Sequence, residues 1–345
     1  MPPVWHDHEP ELSIPFISEV TNTGQVANHR AQIFVESWSA DYGSPMQIDA
    51  DNEANGSAQL IDEEGFGFVA PSEQEPFPIA FIDGVRRQEA ALSQWYDGRS
   101  VSGIAGAYAV GTVLAHPGKT PIYSHELVER LVIWSSGLSG ALPVSSSGWH
   151  WREVSTPDTS PIAPIHRLQD MMRRAEARLA DSIAQEGYVV VMDGTLWFAS
   201  AYDKRNIAGY IKTHHVRLLP EVEASRLPEL PPGYRTTIFR TVPDRYACYL
   251  RLAPYSPYHS PMTGIVRLEF SGSLPLDEVR EMANRFASAL PPYAGVAHAD
   301  PRAPQNLQPI GALETRLRHL LGDPALAERA VRDAVAALRT ADQKE

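Results

Sequence analysis

An α/β layer fold built on a mixed sheet is the class the sequence predicts. Three observations predict it: short β-branched or alternating runs recur along the chain, one long amphipathic helix sits between strands, and helices close the sequence. At 345 residues, 43% hydrophobic and 21% charged, the chain suffices for one large domain or two ordinary ones and is apolar enough to bury a core. A disordered tail, a collagen and a disulfide scaffold are excluded, and the lone Cys248 cannot form an intramolecular disulfide. No period of roughly 20–50 residues marks a solenoid. No apolar run approaches the ~20 residues a spanning helix needs, and the acidic, Pro-containing segment Met1 to Glu11 reads as no targeting signal. A cytoplasmic protein without membrane contact is therefore expected.

Residues 1–75 mix alternating segments such as Ala31 to Val35 with a Gly/Asn/Asp-rich stretch near Asp49 to Ser57, which predicts a small acidic β-rich module. After Pro71, Pro76 and Pro78 comes a buried strand, Ile79 to Ile82, stopping at Asp83-Gly84. Strands around Gly106 to Ala115 and Leu127 to Trp134 follow, separated by a His116-Pro117-Gly118 turn. A Ser/Gly/Pro-rich connector from Gly137 to Pro164 leads into a helix over about Ile165 to Gln185. Its apolar positions Ile165, Leu168, Met172, Ala175, Leu179 and Ile183 form one inward stripe, and Gly187 ends it. Tyr188 to Met192 is a β-branched run suited to a strand covered on both faces, again ending in Asp-Gly at Asp193-Gly194. Strands are predicted at Gly209 to Leu219, Thr236 to Val242, Tyr246 to Leu252 and Ile265 to Phe270. Helices are predicted at Leu276 to Leu290, Ile310 to Leu321 and Pro324 to Arg339. The main domain is placed at residues 76–325, with 326–345 as a C-terminal helix and tail.

The formal charge of -12 is unevenly spread. Residues 1–85 hold 15 of the 42 acids and one of the 30 bases, a net of -14, which leaves the remaining chain at +2. The overall acidity thus does not exclude a nucleic-acid partner for the body of the protein.

Asp83 and Asp193 sit where strands of an α/β sheet end and sites usually form, although Asp-Gly is also the commonest hairpin turn. Glu176 lies four residues after Met172 and seven before Ile183, within or beside the apolar stripe. A core-facing carboxylate is costly unless it is paired, here with Arg173 or Arg178, or bound to a metal. Three converging carboxylates repel one another unless a divalent cation compensates them. Their oxygens suit Mn²⁺ or Mg²⁺, and two such ions can activate a water and stabilise the leaving oxygen in phosphodiester cleavage. The string Met192-Asp193-Gly194-Thr195-Leu196 is also found in haloacid-dehalogenase phosphatases, but their nucleophilic Asp would fall where this chain has Val191. No Walker-type Gly-Lys-Ser/Thr loop is present. An actin-like or sugar-kinase ATPase would need two such domains and a Gly-rich adenosine loop, and neither is found.

The order of these pieces resembles the NurA nucleases. The resemblance rests on Ile82-Asp83-Gly84, an Arg-x-Ala-Glu run from Arg173 to Glu176 on the helix, an aliphatic-Asp-Gly-Thr-Leu strand whose Asp lies seventeen residues after that Glu, Gly209-Tyr210-Ile211-Lys212, and a late Ala297-His298. It covers roughly residues 77–322. It implies an RNase H-like core related to that of Argonaute PIWI domains, with Asp83, Glu176, Asp193 and His298 as metal-binding residues, Mn²⁺ or Mg²⁺ as cofactor with two ions per site, and a homodimer. It also implies 5′ to 3′ exonuclease and single-strand endonuclease activity in DNA end resection, alongside a HerA-like hexameric ATPase translocase. Where the family has a tyrosine-rich approach to the histidine, this chain has only Tyr293, and Pro301, Pro304 and Pro309 delay the following helix.

Lys212 either holds a scissile phosphate as a point charge or is a solvated strand-end lysine. Arg86 and Arg87, with Tyr293, are candidate DNA contacts, the two arginines having a solvated face as the plainer reading. Trp197 and Phe198 are better read as core residues than as base-stacking platforms. The alternative function, from a different class, is a catalytically weak adaptor that docks on the ATPase.

Overall fold

A computed structural model of the chain describes residues 32–35, 58–61, 65–96, 98–196, 205–213, 217–241, 245–254 and 259–342. They belong to one compact unit, Ala31–Glu345. Trp197, Phe198 and most of the acidic stretch before residue 65 lie outside the described residues.

Three short strands, β1 (Gln32–Val35), β2 (Gln59–Leu60) and β3 (Phe68–Val69), precede a long antiparallel meander of β4 (Ile79–Tyr96), β5 (Arg99–Ala115) and β6 (Ile122–Trp134). Strand β7 (Arg152–Ser155) runs parallel to the end of β6. Helix α1 (Ala163–Gln185) then crosses to β8 (Val189–Asp193), which pairs in parallel with β4, and β9 (Ile207–Ile211) pairs in parallel with β8. A short helix α2 (Glu221–Arg226) leads to β10 (Arg235–Thr236), β11 (Phe239–Thr241), β12 (Arg245–Arg251) and β13 (Ile265–Ser271). Helices α3 (Leu276–Ala289), α4 (Gln308–Leu320) and α5 (Pro324–Asp342) follow. The sheet order is β2-β11-β12-β13-β9-β8-β4-β5-β6-β7, a mixed sheet with helices packed on it, as the sequence predicts.

The strands β1, β2 and β3, which fall within residues 1–75, pair with β4, β11 and β10 respectively and so belong to the main sheet. Helix α5 is likewise part of the body: Ala330, Val331, Ala334 and Val335 pack with Ile33, Leu92 and Trp134. The predicted strand Thr236 to Val242 is split into β10 and β11, and the strand predicted from Gly209 to Leu219 ends at Ile211.

Alternation along β4 sorts the layers. Ile79, Phe81 and Val85 join the core with Phe286 of α3 and Ile310, Leu313 and Leu317 of α4. Ala80 and Ile82 pack on the other face with Ala180 and Ile183 of α1. Of the stripe read from the sequence of α1, Ile165, Leu168, Met172, Ala175 and Ile183 lie in the core and Leu179 is half-buried at its margin. Gly187, at φ +92, takes the left-handed turn after the helix that side-chain-bearing residues rarely adopt.

One expectation is overturned. The first Asp-Gly does not end its strand, because β4 continues for twelve residues beyond Gly84 to Tyr96, still paired with β5. Gly84 is required by packing instead. A Cβ there would lie 2.5 Å from Glu176 Oε1 and 3.0 Å from both Met172 Cγ and Val110 Cγ1, so α1 can lie close to β4 only over a glycine.

Candidate functional site

Strand β8 stops at Asp193 while its neighbour β4 runs on. Their parallel pairing ends at Ile82 and Met192, one residue before each aspartate, so Asp83 and Asp193 follow adjacent rungs at the notch where β8 leaves the sheet. Glu176 comes over this end from α1 and is fully buried. The structure thus gathers the three predicted acids from β4, α1 and β8.

Asp83 is 6% exposed, and Gly84 donates its backbone N–H to Asp83 Oδ1 at 2.8 Å. Its carboxyl is held well above the ordinary carboxylate range, first by burial and then by the negative charges of Asp193 and Glu176. Lys212 and the Gly84 N–H pull the other way. The like charges therefore act across the notch.

Two cations offset them. Lys212 Nζ donates to Asp193 Oδ2 at 2.7 Å, and Arg173 donates to Glu176 Oε2 at 3.2 Å and to the Asp193 carbonyl at 2.9 Å. Glu176 therefore faces the core and is paired with Arg173, the first of the two arginines the sequence offered it. Gly194, at φ +99, turns the chain beneath Arg173, and a Cβ there would meet the Arg173 guanidinium at 2.9 Å. Lys212 is not a solvated strand-end lysine: its ammonium also donates to Asn306 Oδ1 at 3.0 Å, and Asn306 Nδ2 donates to Asp300 Oδ2 at 2.6 Å. Arg302 holds the Asp300 carboxyl low, at about 2. Tyr210 Oη donates to the Gln305 carbonyl at 2.5 Å, which ties the same loop to β9.

The other predicted residues lie elsewhere. His298 sits on an exposed turn and, among the described residues, makes no hydrogen bond or ion pair with the three acids; the loop reaches the site through Asn306 instead. Tyr293 packs edge-on against Phe81, ring centroids 4.8 Å apart, and burial raises its phenol. Arg86 Nε donates to Gln169 Oε1 on α1. Arg87 donates to the carbonyls of Leu321 and Gly322 at 2.8 and 2.7 Å, and Arg130 reaches the Leu321 carbonyl at 2.9 Å, so both cap the C-terminal end of α4. Asn306 and Asp300 are the participants that sequence reasoning missed. Arg173, three residues before Glu176 on the helix, was read from the sequence as one of two candidate partners of that carboxylate, and it is the one that pairs.

The donor set suits a hard divalent cation by chemistry and charge, with three carboxylates from three elements, of which Asp83 is raised first by burial and then by the charges of the other two. Among the described residues, no group of three or more His, Cys, Asp or Glu side chains is set to hold a metal ion, and Lys212 and Arg173 are the cations at the acids. No described helix is long and apolar enough to cross a membrane. No known family model matches the chain, and no curated protein matches it.

Gly84→Ala tests the packing of the site. The added Cβ must displace the Glu176 carboxylate or α1, an overpacking that costs roughly 1–3 kcal/mol. Chemical denaturation is expected to show that loss, whereas Gly65→Ala, where nothing lies within 4 Å of a new Cβ, probes only the cost of a positive φ.

Proposed function

We propose that the chain is a metal-dependent deoxyribonuclease similar to the NurA nucleases, with an RNase H-like core. The observation that carries this reading is the convergence of Asp83, Glu176 and Asp193 at the end of β8 with Lys212 bound to Asp193. The meander β4-β5-β6, the crossover helix α1 and the parallel strands β8 and β9 beside β4 support the RNase H-like reading.

Asp83, Glu176 and Asp193 would hold Mn²⁺ or Mg²⁺, which supplies charge neutralisation at the attacking and leaving oxygens of a phosphodiester. Lys212 places a point charge at Asp193, where it orients that carboxylate and meets an incoming phosphate. Arg173 fixes Glu176 and the turn at Gly194. Burial of Asp83 keeps water away from one side of the site and strengthens every charge interaction there. The wider reading follows the resemblance: end resection with a HerA-like hexameric ATPase, as a homodimer. The near-neutral body gives weak unaided affinity for DNA, so grip comes from the dimer and its partner ring.

The purified protein with Mn²⁺ and end-labelled linear DNA is expected to release labelled products, and Glu176→Ala or Asp193→Ala to abolish them while circular dichroism is kept. Full activity in either variant would sink the assignment. A second reading, a catalytically weak adaptor, is favoured by one observation: Lys212 and Arg173 already balance Asp193 and Glu176 without an ion. Adding the ATPase separates the two, since an adaptor raises translocase activity but yields no cleavage.

A further inference from the structure

The Lys212 ammonium is held from two sides, by Asp193 Oδ2 at 2.7 Å and Asn306 Oδ1 at 3.0 Å. Asn306 is 1% exposed and stands 94 residues from Lys212, so the contact is made by the fold and not by local chain geometry. An asparagine offers one carbonyl oxygen and one amide nitrogen, and an ammonium only donates. The orientation of the amide is therefore forced: Oδ1 faces Lys212 and Nδ2 faces the Asp300 carboxylate at 2.6 Å. Asp300 is in turn bonded through both oxygens to Arg302, which also pairs with Glu314 of α4. Glycines leave room for this arrangement, since a Cβ on Gly295 would lie 2.3 Å from the Asn306 carbonyl oxygen and one on Gly311 3.1 Å from Nδ2.

We propose that Asn306 is a positioning residue, clamped by Asp300, that fixes the Lys212 ammonium against Asp193 at the mouth of the site. Lysine has a flexible stem and three rotatable donors, so a single contact with Asp193 leaves its direction loose. The second acceptor sets it. The role of this clamp in cleavage rests on the nuclease reading, but the clamp itself does not.

Two measurements separate these. Lysine is scarce in the chain (Lys119, Lys204, Lys212 and Lys344), so ¹⁵N-lysine labelling resolves the ammonium signals, and Lys212→Arg assigns that of Lys212. A slowly exchanging Lys212 signal is expected in the wild type and its loss in Asn306→Ala; an unchanged signal in that variant overturns the proposal whether or not DNA is cut. In the cleavage assay, Asn306→Ala and Asn306→Asp are expected to lower kcat about tenfold with KM nearly constant. Asn306→Asp combined with Asp300→Asn reverses the polarity of the bond at constant volume and is expected to restore most of the rate. In a Lys212→Met background Asn306→Ala is expected to cost nothing further. An equal loss in both backgrounds overturns the proposal, as does a swap that folds without rescue. If Asn306→Ala fails to fold, the volume-conserving swap carries the test. Absence of cleavage by the wild type overturns the nuclease reading alone.

Discussion

Asp83→Asn is expected to abolish Mn²⁺-dependent cleavage and, with a chelator present, to make the protein more stable. Asp83 is buried in the sheet, and burial together with Asp193 and Glu176 opposes its charged form. Asparagine keeps the shape and removes the charge. The gain should be roughly 1–2 kcal/mol, the size usual when a strained functional group is relieved, and is read as a rise of a few degrees in melting temperature. The sign of the pH dependence follows from linkage. A carboxyl whose pKa is raised in the folded state contributes stability that is present below its unfolded value and lost as pH climbs through the raised value. The stability gap between Asp83→Asn and the wild type should therefore widen with rising pH. A wild type that is the more stable of the two at neutral pH would show that Asp83 is a structural carboxylate.

Glu269→Ala is expected to cause the largest loss of stability. Glu269 is fully buried on β13 between Arg245 NH1 at 2.5 Å and Arg267 NH2 at 2.8 Å, and the side chains of both arginines are almost as buried. Removing the carboxylate breaks a buried ion-pair network and takes its negative charge from beside two buried guanidiniums, a loss on the order of 3–5 kcal/mol. Glu314→Ala is the contrast, because it removes ion pairs to Arg302 and Arg318, both more than half exposed, and should cost no more than about 1 kcal/mol. Urea midpoints of the two variants read the difference directly; equal midpoints would mean that the Glu269 network is not buried as the structure has it.

These two residues show what the sequence could and could not reveal. The helix α1, the run Val189 to Met192 and the end of β8 at Asp193 were legible because each is written in local periodicity and a breaker. Glu176 was legible because it interrupts an apolar stripe. Asp83 was found as a residue but misplaced as a strand end, since Asp-Gly signals a turn and nothing local shows that Gly84 is there to admit Glu176 from α1. Glu269 and Arg267 alternate with Val266, Leu268 and Phe270, which reads as a solvated face. Their burial follows from cross-strand pairing with Arg245 that no single strand encodes. Asn306 was not legible either, because a lone asparagine in a Pro-rich segment acquires its role only from a contact 94 residues away. Arg87 shows the reverse case: a basic pair after a strand suggests a phosphate contact, whereas the fold uses it on the carbonyls that end α4.

Under the proposed function, Asp83, Glu176 and Asp193 together hold a divalent cation. Electron paramagnetic resonance of Mn²⁺ titrated into the protein reads it without recourse to DNA. Saturable binding by the wild type is expected, and its loss in Asp83→Asn and in Asp193→Asn with both variants folded. Binding of Mn²⁺ with unchanged affinity by either variant, or no binding by the wild type, would contradict it.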